Sequence, residues 1–409
     1  MDEGMSDNED TVTCFAPADG PIYLDYNATT PVDPAALQAA LPYLSTHFGN
    51  PSSGHHYARA PREALDRARG QVAALLGAAP DEIVFTGGGS EADTLAVRGA
   101  AIATLDPLRR QIITLATEHP AVLESCQSLR AAGFAVRLLP VDRRGRADPD
   151  DLRAALSEQP TALVTIAYGN SETGTLQPIA ELAALARAAG ALFHTDAAQA
   201  AGKVPLDVAA LGVDLLTLVG HKMYAPKGVG ALYVRAGTPL QPIIHGGGQE
   251  GGLRAGTENV AFVAALGRAA EVARCELPAG AARLAGLRDL LHTELEALLP
   301  GRVRLNGHPT ERLPGTLNVS IDGVTGRALL AAVPEIAAST GSACHEGVDA
   351  PSPVLTAMGL PDQRARSALR LSLGRWSTET EVRRAARLIA RACTTVPPGP
   401  APGGTVVAG

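Results

Sequence analysis

Short runs of consecutive apolar residues alternate along the chain with longer stretches whose apolar positions recur every three to four residues. EIVF, IITLA, ALVTIAY, ALFHT, LLTLV and ALYV are the short runs. Each is apolar at adjacent positions, so both of its faces are expected to be covered. That pattern predicts strands of a mostly parallel sheet with helices on either side. DEIVFTGGGSEADTLAVRGAAIA reads as strand, glycine turn and helix, and ELAALARAAGALFHTDAAQ as a helix stopped at Gly190 and then a strand. From about Ala264 to Leu299 the period becomes that of a long helix. A strand in LPGTLNVSI follows, then a helix, a Gly- and Ser-rich loop around Cys344, and RLSLG. The expected organisation is a large domain over 21–263 and a smaller α+β domain over 264–394. Residues 1–20 are polar and acidic and are expected to be disordered, and 395–409 form a Pro/Gly-rich flexible tail. No internal repeat of fixed period is present.

In open parallel sheets ligands bind beyond the carboxyl ends of the strands. Five predicted strands end in polar or ionisable residues: Gly87-Gly88-Gly89-Ser90, Glu118-His119, Asn170-Ser171-Glu172, Asp196 with Gln199, and His221-Lys222. The glycine turn would let backbone N–H groups approach a phosphate at a helix N-terminus, with Ser90 as a further donor and helix cap. It lacks the G-x-G-x-x-G spacing of a dinucleotide site, which speaks against a nucleotide-binding oxidoreductase.

Composition sharpens one of these positions. Of 35 basic residues in 409, only Lys203, Lys222 and Lys227 are lysines, and the other 32 are arginines. Arginine supplies a positive charge but cannot form a Schiff base, whereas a desolvated lysine can. A lysine, a carboxylate at a strand end and a phosphate cradle are what pyridoxal phosphate needs from a protein. Lys222, Asp196 and the 87–90 turn offer one of each, and His119 would stack on the ring. Lys203 and Lys227 sit beside Gly or Pro in loops and read as structural. The net charge of −7 argues against charge-driven nucleic-acid binding, and no apolar run approaches the ~18–20 residues that cross a bilayer. Five widely spaced cysteines (14, 126, 275, 344 and 393) form no C-x-x-C pair, so neither a disulfide framework nor a metal site is expected, and a reducing cytoplasm is. Cys344 alone stands among small polar residues, the setting of an exposed thiol.

YLDYNATTPVDP, FGNPSSGH, FTGGGSEAD, EHPAV, HTDAAQAAGK, GHKMYAPKGVGALYV, GGGQEGGLRAGTEN, STGSACHEG and LRLSLGRWST occur in this order. Together they resemble the NifS/IscS-type cysteine desulfurases, class V aminotransferases of the fold-type I pyridoxal-phosphate enzymes. VGHK and SACHEGVDAPSPVL look closest to the selenocysteine lyases. The resemblance implies a large domain built on a mostly parallel seven-stranded sheet and a homodimer with shared active sites. It implies that Lys222 carries pyridoxal 5′-phosphate, that Asp196 pairs with the pyridine nitrogen and that Gln199 reaches the ring hydroxyl. His119 would stack on the ring and act as acid/base. Gly89, Ser90 and His221 would cradle the phosphate, with Thr257 reaching that of the neighbouring subunit. Arg370 would clamp the substrate carboxylate, and Cys344 would take sulfur from L-cysteine, or selenium from L-selenocysteine, for a protein acceptor. Two positions depart from the family pattern: Ser171 replaces an asparagine at the ring hydroxyl, and Val219 a phosphate-binding serine. A non-catalytic dimeric scaffold that docks sulfur carriers is the reading of another class, against which Lys222, Asp196 and Cys344 all stand.

Overall fold

A computed structural model describes residues 20–341 and 350–396. The N-terminal segment through residue 19, the segment with Cys344 and His345, and the tail from 397 lie outside the described residues. The described residues form twelve strands: β1 (Ile22–Tyr23), β2 (Ile83–Thr86), β3 (Gln111–Leu115), β4 (Ala135–Leu139), β5 (Thr161–Thr165), β6 (Leu192–Asp196), β7 (Leu215–Val219), β8 (Gly230–Val234), β9 (Val303–Asn306), β10 (Thr316–Ile321), β11 (Ile336–Ala337) and β12 (Ala368–Ser372). Seven of them form one sheet in the order β2-β8-β7-β6-β5-β3-β4. Only β8 runs against the others, pairing antiparallel with both β2 and β7.

Alternation of side chains explains why the apolar runs are continuous. Ile113, Val164, Phe193, Leu216 and Leu218 enter one buried cluster, while Ile112, Leu163, Leu215 and Leu232 enter another. Successive residues of a strand point to opposite faces, so each face has its own core. Because β2, β3, β5, β6 and β7 share one direction, their carboxyl ends, Thr86, Leu115, Thr165, Asp196 and Val219, lie along one edge of the sheet.

The long helix is Val260–Leu298, started four residues earlier than its apolar period suggests, because the Asn259 side chain caps it through Phe262 N. Its first half packs in the large-sheet core, and Leu291 and Leu295 pack in a second core around β10 and β12. The antiparallel sheet β12-β10-β9 builds this second unit. β1 pairs in parallel with β11, and Ile22 and Leu24 are buried in the second core. The chain therefore begins its described course in the smaller unit and then crosses to the large sheet. No helix of the described residues is long and apolar enough to cross a membrane.

Candidate active site

Lys222 closes a single 3-10 turn, Gly220–Lys222, at the end of β7. The turn is held by the crossing segment 25–30. Thr30 N donates to His221 O at 3.0 Å, and Tyr224 N donates to Thr30 Oγ1 at 3.0 Å. Tyr224 adopts φ 63°, an uncommon conformation for a large side chain, so neighbouring contacts must hold it there. Its hydroxyl accepts from Arg375 N at 2.6 Å, and its ring lies against Trp376 and the Arg375 guanidinium. Lys222 Nζ donates to Asn27 O at 2.6 Å and Ala28 O at 2.7 Å. Asn27 in turn donates from Nδ2 to Thr316 Oγ1 at 2.9 Å and Ser171 O at 3.0 Å, which ties both sheets to the lysine.

Asp196 ends β6, buried, with Oδ1 accepting from Ala198 N at 2.8 Å. Burial raises its pKa, while the Ala198 hydrogen bond, His119 and Lys222 oppose the rise. The ends of β3, β6 and β7 thus bring these three side chains to one edge of the sheet, where their charges act on one another. His119 caps the helix Pro120–Ser128, its Nδ1 accepting from Ala121 N at 3.1 Å. An accepting Nδ1 requires the tautomer with hydrogen on Nε2 when the ring is neutral. Desolvation and Lys222 lower the ring pKa against the pull of Asp196, which keeps the neutral form.

Behind Asp196 lies a layer of buried polar groups. His194 Nδ1 meets Thr165 Oγ1 at 2.8 Å and Nε2 meets Thr217 Oγ1 at 3.0 Å, and burial pushes its pKa down to about 3. Asp93 is fully enclosed, and burial with the Asp196 charge raises it well above the carboxylate range. Glu118 is raised to about 8, chiefly by burial and less by Asp196, although Oε1 accepts from Ala167 N at 2.9 Å. The folded protein therefore keeps a proton on Glu118 that the unfolded chain releases near the ordinary glutamate value. Stability from this group is complete below that value and drains away as pH climbs through about 8. Glu118→Gln keeps the acceptor for Ala167 and removes the titration. Its Tm advantage over the parent is expected to widen by about 2–4 °C between pH 5 and pH 8.5 in thermal melts. A gap independent of pH would refute the raised pKa.

The glycine turn meets the lysine turn directly. A Cβ on Gly89 would stand 2.6 Å from Val219 Cγ2, so this approach requires glycine. The helix after the turn is Gly89–Thr94, preceded by Gly88 at φ 148° with no side-chain cap. Ser90 is thus not the cap that its position in sequence suggests. It lies one residue inside the first turn, exposed, with its hydroxyl at the helix N-terminus. His221 Nδ1 meets Thr29 Oγ1 at 3.1 Å. Burial, then the charges of Lys222, Lys227 and Lys203, push its pKa down to about 4, so it is neutral near pH 7. Glu91 links the turn to the loop 246–259, accepting from Gly87 N at 2.9 Å and from Arg254 Nε at 2.9 Å. Thr257, on that loop, is exposed and is not brought to the lysine by these contacts.

Arg370 projects from β12, buried, with Nη2 donating to Asp25 Oδ1 at 2.7 Å and Nη1 to Gly341 O at 2.9 Å. Its Nη1 also reaches Ser171 O at 3.4 Å, and its buried Nε has no partner among the described residues. Ser171 enters these contacts through its backbone, while Asn170 anchors the loop, donating to Thr117 O at 3.1 Å. Gln199 donates from Nε2 to Asn27 O at 2.9 Å. Glu172, raised to about 7 by burial, lies against Gly341. Burial pushes the Cys126 thiol up to about 12 and also raises that of Cys393, so neither is a ready nucleophile.

Against known proteins, residues 22–385 match the aminotransferase class-V family. The chain belongs to that family. It is 47% identical over 371 residues to a cysteine desulfurase IscS of Anaeromyxobacter dehalogenans, covering 90% of this chain and 91% of the relative. It is 49% identical over 367 residues to a cysteine desulfurase of Cereibacter sphaeroides, covering 89% and 93%. Among solved structures, a NifS-like protein superposes with TM-score 0.85 at 35% identity, over 92% of this chain and 100% of that one. SspA in complex with cysteine superposes with TM-score 0.76 at 36% identity, over 87% and 99%. For a class-V chain, Asn27, Thr29, Thr30 and Asp25 are site-building residues that the strand-end argument did not assign. Their only signal was the polar run in LDYNATTP, directly after a short apolar segment. Glu118 stood at a strand end, but its protonation follows from burial that no spacing reveals.

Proposed function

We propose that this chain is a pyridoxal-phosphate-dependent cysteine desulfurase that converts L-cysteine to L-alanine and passes the sulfur to an acceptor protein. The observation that carries the reading is the placement of Lys222, Asp196 and His119 at or just beyond strand ends on one edge of the sheet, beside a glycine turn that a Cβ would block. The donor set fits the cofactor. Lys222 offers the amine for covalent attachment and Asp196 a buried carboxylate for the ring nitrogen. Gly89, Ser90 and neutral His221 offer donors to a phosphate, and Gln199 an amide to the ring hydroxyl. Ser171 is too short to add the contact an asparagine would make there, and Val219 leaves the phosphate one donor fewer. When bound, the cofactor supplies an electron sink for the substrate Cα.

The remaining work falls to the chain's own groups. Arg370, fixed by Asp25 and Gly341, orients the substrate carboxylate. Lys222 takes the Cα proton and returns one to carbon, and His119 serves the second proton movement from its Nε2 side. The Cys344 thiolate bonds to the substrate Sγ. The Sγ–Cβ electron pair remains with Cβ, which gains a proton, and the product leaves as alanine with a persulfide on Cys344. Thr257 is exposed on its loop, in keeping with a phosphate contact across a homodimer. Exposed Leu37, Leu41 and Leu44 on one helix, near the stacked pair Phe48 and Tyr57, offer an apolar surface for the second copy. Metal and nucleic acid have no part in the reading, and its setting is the cytoplasm.

The deciding experiment measures alanine from L-cysteine and from L-selenocysteine with purified protein. Turnover of cysteine, lost in Cys344→Ala, is expected. Efficient turnover of selenocysteine with negligible turnover of cysteine would make the chain a selenocysteine lyase. Alanine from neither would leave only a docking scaffold.

A further inference from the structure

Lys203 takes no part in the reaction as derived, yet it stands one hydrogen bond from the site. Its Nζ donates to Gln199 Oε1 at 2.8 Å. Gln199 then donates from Nε2 to Asn27 O at 2.9 Å, the same carbonyl that accepts from Lys222 Nζ at 2.6 Å. A primary amide has one accepting and one donating end, and rotation by half a turn exchanges them. Nothing about Gln199 itself selects the orientation. An ammonium group can only donate, so protonated Lys203 fixes Oε1 on its own side, whereas a neutral amine could also accept from the flipped amide. Burial, with the charges of Lys222 and Arg370, pulls the Lys203 pKa down to about 7, so the orienting ammonium form prevails below that pH.

We infer that Lys203 is a positioning residue that locks the Gln199 amide with its N–H₂ end toward Asn27 and the cofactor ring. The inference rests on the reading of Gln199 as the donor to the ring hydroxyl. Without Lys203, the flipped amide would set its oxygen against the Asn27 carbonyl oxygen and the ring oxygen, and the intact one would be held only from one side. Space for a longer donor exists, since Lys203 lines a cavity of about 460 Å³ shared with Thr30, Ala273 and Leu373.

The test compares binding of pyridoxal phosphate with that of its 3-deoxy analogue, which lacks only the ring hydroxyl, to cofactor-stripped full-length protein. Lys203→Met is expected to weaken pyridoxal phosphate by about tenfold, the worth of one charge-assisted hydrogen bond, and to leave the deoxy analogue unchanged. Lys203→Arg, which retains a donor, is expected to recover most of the loss. Equal weakening of both ligands in Lys203→Met would show a merely structural lysine and overturn the inference, as would undiminished binding of pyridoxal phosphate. A parent protein that binds the two ligands equally would instead overturn the Gln199 assignment, a result visible before any Lys203 variant is made.

Discussion

Lys222→Ala is expected to lower the rate of alanine formation from L-cysteine by at least about 10⁴-fold, because one side chain carries both covalent attachment and proton transfer. Lys222→Arg is expected to be nearly as inactive. A guanidinium there still carries charge and can still donate to the carbonyls of Asn27 and Ala28, so the fold around the turn is retained. What it cannot do is lose a proton and attack an aldehyde near neutral pH. Together the two variants therefore separate charge from chemistry. The visible absorption of bound pyridoxal phosphate should change in both, and a small added primary amine should restore part of the activity to Lys222→Ala, where the space has been opened, and none to Lys222→Arg. A Lys222→Arg protein with parental activity would remove the lysine from the mechanism. The shortage of lysine in this chain makes the comparison apt, since arginine stands at 32 of 35 basic positions and not at this one.

Much of the sheet was legible because each of its buried strands is apolar on consecutive positions, and the polar break after it marks the carboxyl end. Asp196 and Lys222 were visible for that reason, and the two ends do lie on one edge of the sheet. β4 was not legible. It is an edge strand whose positions are mostly exposed, so it lacks the apolar run of its neighbours. β1 and the segment after it were hidden by distance along the chain. Asn27 meets Ser171, Lys222 and Thr316 across 144, 195 and 289 residues, and no local pattern encodes such partners. Ser90 was misread as a cap because a serine before an apolar helical period ordinarily caps it. Here Gly88, at φ 148°, starts the helix earlier to bring Gly89 against Val219. The orientation of Gln199, the protonation of Glu118 and the neutral His221 all follow from burial and neighbours, quantities that composition does not carry.

Asp196→Asn is expected to move activity and stability in opposite directions. The asparagine keeps an oxygen for Ala198 N and nearly the same volume, so the strand end need not shift. It cannot hold the ring nitrogen protonated, and turnover of cysteine should fall by about 10²–10³-fold, the usual cost of deleting one preorganised electrostatic group. In the cofactor-free protein the effect on Tm has the other sign. Asp196 has its pKa raised in the fold by burial, which means that its charged form is the disfavoured one there, even with His119 and Lys222 nearby. Above the ordinary aspartate value the native protein therefore loses stability with rising pH through this group, and a neutral amide removes that loss. Asp93 and Glu118 have the same sign, so the cofactor-free site is a cluster of acids whose charge the fold resists. Addition of pyridoxal phosphate should narrow or invert the difference, since a positive ring nitrogen would favour the aspartate. If Asp196→Asn lowered both Tm and activity without cofactor present, the carboxylate would be a structural anchor. A higher Tm with lower turnover is the signature of a charge kept at a cost to stability because the reaction needs it.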